Sequence, residues 1–85
     1  MWSEGTIGIP LKTGKYNVVH YSVKHYDKPS EEYGLDGSCI SKLTLKLDET
    51  VIANYDRGWD VYPQTSEAQL ALSILMDEYG FKDKE

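Results

Sequence analysis

The sequence predicts an α+β fold: an antiparallel sheet of about four strands with one C-terminal helix packed on one face. Three features carry that expectation. Two runs alternate apolar and polar residues with the strand period, segments rich in glycine and proline separate the runs, and a capped amphipathic helix follows them.

The clearest strand is Asn17 to Lys24, where Val19, Tyr21 and Val23 alternate with His20, Ser22 and Lys24. Ahead of it, Thr6 to Ile9 can form a short edge strand, joined through Lys12-Thr13-Gly14-Lys15, in which Gly14 permits a turn. Asp27 to Ser38, with Pro29, Gly34 and Gly37, reads as the longest loop. A second clean alternation runs from Lys42 to Asp48, with Leu43, Leu45 and Leu47 facing one way. Asp48-Glu49-Thr50 reads as a three-residue loop into Val51 to Tyr55. That loop would set Leu47 opposite Val51, Leu45 opposite Ala53 and Leu43 opposite Tyr55.

Asp56 to Thr65 reads as irregular chain leading to the helix. Ser66 is a natural N-cap with Gln69 three residues on, and Gly80 is a stop signal with Phe81 placed to fold back. At 100° per residue, Ala68, Ala71, Leu72, Leu75, Met76 and Tyr79 form one stripe suited to lie on the sheet.

At 85 residues the chain is expected to be one domain. A domain of this size hides roughly 60–65% of its unfolded surface, so the core must be thin. Seven tyrosines make large flat side chains a main source of burial. Cys39 is the sole cysteine, which excludes a disulfide within the chain and fits a reducing compartment. With no basic region followed by an apolar run and no stretch of spanning length, the expectation is a cytoplasmic protein without a membrane role.

The net charge is −5. Residues 1–43 hold five acids and five lysines, whereas residues 44–85 hold nine acids against four bases. This balance argues against duplex nucleic acid as a partner, because such binding needs cations to replace condensed counterions.

Leu70 and Ile74 fall outside the helix stripe, one turn apart on its far side. An apolar ridge there points to a protein partner or to another copy of the chain, and the plainer reading is cover by the protein's own loops. Asn54 to Asp60 is the densest run. Arg57 could act as a fork for an anion with Trp59 as a stacking surface; equally, Arg57 could pair with Asp56 or Asp60 while Trp59 caps the core.

If the two clean strands are neighbours, His20 and Lys24 join Lys42 and Lys46 in a local basic patch that could attract phosphate or acidic groups. Lysine on a solvated strand face also serves solubility alone. Gly34 to Ser38 lacks the ending of a phosphate loop and reads as a bent loop. His20, His25 and Cys39 fit no metal spacing, no nucleophile elbow is present, and no cofactor is expected.

Gly37 to Leu43, Asn54 to Asp60 and the helix together resemble a small uncharacterised family of Gram-positive bacteria and their phages, over the second half of the chain. The resemblance implies a phage or prophage accessory protein, a class that often binds a host protein or sequesters a signalling nucleotide. Two functional expectations follow. The first is a non-enzymatic binding protein engaging a protein partner or itself through Leu70 and Ile74. The alternative is an oligomer that binds or sequesters a small ligand, a nucleotide or other anion, using His20, Lys24, Lys42, Lys46, Arg57 and Trp59.

Overall fold

The computed structural model describes residues 1–29 and 34–80. Five strands, β1 (Trp2–Pro10), β2 (Tyr16–His25), β3 (Ile40–Leu47), β4 (Thr50–Asp56) and β5 (Trp59–Val61), form one sheet in chain order. Every neighbouring pair is antiparallel. Helix α1 (Ser66–Leu75) follows and runs on through a wide π-type turn, Met76–Gly80.

The sheet has five strands where about four were expected. β1 is longer than Thr6 to Ile9 because Trp2 to Gly5 also pair, setting Trp2 opposite Lys24, and the Met1 carbonyl accepts from the His25 N–H at 2.8 Å. β5 forms inside the segment expected to be irregular. Arg57 adopts a left-handed φ of 58°, the Asp56 N–H donates to the Gly58 carbonyl at 2.9 Å, and Trp59 returns to sit opposite Tyr55. A three-residue strand is too short to show an alternating pattern.

The β3–β4 connection also differs. Leu47 pairs with Thr50, so the loop is the two residues Asp48 and Glu49, whose φ values of 50° and 66° give a mirror-image turn matched to strand twist. Val51 therefore faces Lys46 instead of Leu47. Ile52 is an extra residue at a bulge, and beyond it Leu45 meets Ala53 and Leu43 meets Tyr55 as the pattern requires.

The helix cap lies one residue earlier than expected. Thr65 holds extended backbone and its hydroxyl accepts from the Ala68 N–H at 3.1 Å, while the Gln69 side chain donates to the Pro63 carbonyl. Thr65 and Ser66 are both competent caps, and the structure uses the first. Phe81 lies outside the described residues.

Ala68, Ala71 and Leu75 are fully buried against Val19, Val23, Leu43, Leu45 and Ala53, while Leu72, Met76 and Tyr79 are half-buried against the same core. The helix lies chiefly over β1 and β2. Leu35 is buried from a short 3-10 turn, Leu35–Gly37, and the Cys39 N–H donates to the Gly80 carbonyl at 2.8 Å, tying the end of the helical segment to the start of β3.

Candidate functional site

The helix covers one face of the sheet, and among the described residues no element packs on the other. On that other face His20 stands opposite Lys46, Ser22 opposite Thr44, and Lys24 opposite Lys42. Two ends result. His20 and Lys46 border a shallow hollow near Asp48 and Glu49, whereas Lys24 and Lys42 stand at the opposite end, where Lys28 and Arg57 join them.

That second end is shaped by a bulge. Between the Lys24–Lys42 and His25–Ile40 pairs, Ser41 is the extra residue. Its hydroxyl donates to the Lys24 carbonyl at 3.4 Å, and its own carbonyl accepts from the Arg57 N–H at 3.3 Å. The bulge and the left-handed Arg57 turn thus draw the start of β3 and the end of β4 around one hollow. Its volume is about 230 Å³, lined by Tyr26, Lys28, Ser38, Cys39, Lys42 and Arg57 among others.

Among the described residues its charged lining is cationic: Lys28, Lys42 and Arg57. Lys42 Nζ lies 3.6 Å from an Asp56 carboxylate oxygen, longer than a charged hydrogen bond. Lys24 Nζ sits 5.9 Å from the centroid of the Trp2 ring and 5.7 Å from that of Tyr26, so two exposed aromatic rings flank one ammonium. The Tyr26 hydroxyl is held below its usual value, first by a hydrogen bond from Lys24. Partial desolvation opposes this, and the Lys24 charge, Ser41 and Arg57 add to it.

Trp59 is not part of this hollow. Its ring meets Tyr55 edge-on at 5.1 Å, stacks on Tyr62 at 5.7 Å, and is half-buried against the core. Arg57 and Trp59, two residues apart, serve different sides of the molecule.

On α1, Leu70 and Ile74 are 45% and 39% exposed. The described helical segment carries Glu67, Asp77 and Glu78 and no lysine or arginine. Cys39 is buried. His25 is buried on the helix side, with Nε2 2.9 Å from the Ser3 hydroxyl and its ring 4.7 Å from that of Tyr79. Among the described residues no three His, Cys, Asp or Glu side chains are grouped to hold a metal ion, and no helix is long and apolar enough to cross a membrane.

Sequence reasoning singled out Lys24, Lys42 and Arg57 but not Tyr26 or Lys28. The available signal was the continuation of the polar alternation past the strand, through Lys24, Tyr26 and Lys28.

The described residues define a small α+β fold with one face of an antiparallel sheet covered by a helix. The chain belongs to a family described as a domain of unknown function, DUF7678, whose model matches residues 1–80. No curated protein and no solved structure matches it.

Proposed function

We propose that this is a small non-enzymatic binding protein of the cytoplasm that docks on another protein chain through the outer ridge of α1. The observation that carries this reading is the exposure of Leu70 and Ile74, 45% and 39%, one turn apart on the side away from the sheet. Charge narrows the partner. With Glu67, Asp77 and Glu78 along the helical segment and no cation, the ridge suits an apolar groove rimmed by lysine or arginine. An antiparallel pairing with a second copy would bring acids toward acids. The resemblance to a family of Gram-positive bacteria and their phages supports a phage or prophage accessory role.

The test is the double variant Leu70→Lys, Ile74→Lys, compared with wild type by light scattering and by pull-down with a basic partner captured from host extract. Loss of association with unchanged thermal unfolding is expected. Association that survives the double change removes the proposal, and a dimer abolished by it replaces the foreign partner with a second copy.

A second reading, binding or sequestration of an anionic small molecule, is favoured by the meeting of Lys24, Lys42 and Arg57 on a chain of net charge −5. Calorimetry with a panel of anions tests it; silence across the panel, with the protein in its native assembly, removes it.

A further inference from the structure

We infer that the hollow at the start of β3 is a mononucleotide subsite, with the phosphate held by Lys28, Lys42 and Arg57 and the base laid against Tyr26. This rests on the anion-binding reading and gives it a place and a ligand class.

Size comes first. A whole drug-sized ligand needs roughly 300 Å³ or more, and the hollow offers about 230 Å³. A phosphate and part of a sugar fit inside; a base does not and must lie on whatever borders the rim. What borders it is aromatic. Tyr26 lines the hollow and is 46% exposed. Beyond Lys24 lies the Trp2 ring, a second exposed face on the same side of the sheet.

Charge selects an anion for the interior. Three cationic side chains line this one hollow although the protein as a whole is acidic. The Lys42 ammonium, 3.6 Å from Asp56, keeps donors for a closer oxygen. Arg57 supplies a planar fork suited to two phosphate oxygens, and Lys28 a point charge. A neutral donor fits as well, since the Ser41 hydroxyl holds the Lys24 carbonyl only at 3.4 Å.

Aromatic faces beside cations are what a nucleotide uses and a bare inorganic anion does not. A free nucleotide is favoured over a strand because the patch is local. The described lining offers three cations on a chain of net charge −5, a patch suited to one phosphate group and not to an extended phosphate backbone.

The experiment is calorimetry of the full chain with AMP, GMP, CMP and UMP, with inorganic phosphate and with single-stranded oligonucleotides of increasing length, at two salt concentrations. At least one mononucleotide should bind more tightly than inorganic phosphate, and more weakly at higher salt. Lys42→Gln and Arg57→Gln should each weaken it at least tenfold, while Tyr26→Leu should weaken the nucleotide by a clearly larger factor than it weakens inorganic phosphate, and equal losses for the two would overturn the placing of the base on Tyr26. Thermal unfolding of each variant confirms that it is folded. Nucleotide binding that survives the hollow variants but falls in a His20→Gln, Lys46→Gln variant overturns this site and leaves the anion-binding reading standing. No response to any anion overturns both, and affinity that climbs with oligonucleotide length overturns the assignment to a free nucleotide.

Discussion

The Tyr21 ring lies across Gly5, its cross-strand partner, so closely that a Cβ on Gly5 would stand 2.7 Å from the Tyr21 hydroxyl oxygen. Gly5 leaves a gap on the core face of β1 ahead of Ile7 and Ile9, and the neighbouring aromatic ring fills it. Gly5→Ala should therefore destabilise the protein despite alanine's lower backbone entropy cost. The ring must shift from its place, and about 1–2 kcal/mol is expected from overpacking, read as a lower denaturant midpoint with an unchanged slope.

The same tyrosine makes stability sensitive to alkali. Its hydroxyl lies 3.4 Å from that of Tyr79, and its pKa is raised from 10.0 to about 12, first by that hydrogen bond, then by desolvation and by the charges of Tyr79 and Glu78. A phenol harder to ionise folded than unfolded binds more protons in the native state between those values. Its contribution is fully present below pH 10 and is lost as pH rises toward 12. Thermal unfolding followed across that range should fall less steeply in Tyr21→Phe than in wild type, and equal slopes would contradict the shift.

The two sides of α1 should respond oppositely to substitution. Leu75 is fully buried, so Leu75→Ala should cost roughly 2–5 kcal/mol through lost transfer energy and a cavity. Leu70→Lys, at an exposed position, should stay within about 0.5 kcal/mol. Chemical denaturation of the two variants checks the contrast.

Capping separates adjacent residues in the same way. Thr65→Ala removes the acceptor for the Ala68 N–H and should cost about 1 kcal/mol. Ser66→Ala loses only a 3.4 Å surface contact with Glu67 and should be near neutral. If Ser66→Ala proved the costlier change, the helix would start a residue later than the structure places it.

Much of this architecture is legible in the residues themselves. The stripe from Ala68 to Tyr79 and the alternations of β2 and β3 mark the core-facing side chains correctly, because burial on one face leaves a period of 3.6 or 2 in the sequence. The β3–β4 register was legible only in part. Leu43 and Leu45 meet Tyr55 and Ala53, but Leu47 does not meet Val51, since Asp48 and Glu49 occupy left-handed backbone without the glycine or asparagine that usually announces such a turn. β5 was hidden for a similar reason, with Arg57 carrying the positive φ beside Gly58.

The candidate site divides along the same line. That His20, Lys24, Lys42 and Lys46 share a face follows from strand alternation alone. Which of them meet Arg57 does not.

By itself the sequence determined the periodic properties: which face of each strand and of the helix is apolar, that Leu70 and Ile74 stand off the buried stripe, and that acids outnumber bases in the second half. These are local quantities, written in spacing and composition. Only the tertiary structure decided the conjunctions, placing Arg57 beside Lys28 and Lys42, turning Trp59 away toward Tyr55, and laying Tyr21 over Gly5. The extra residue at Ser41 and the left-handed turn at Arg57 each shift the chain by a fraction of a repeat, and no periodic pattern encodes such a shift.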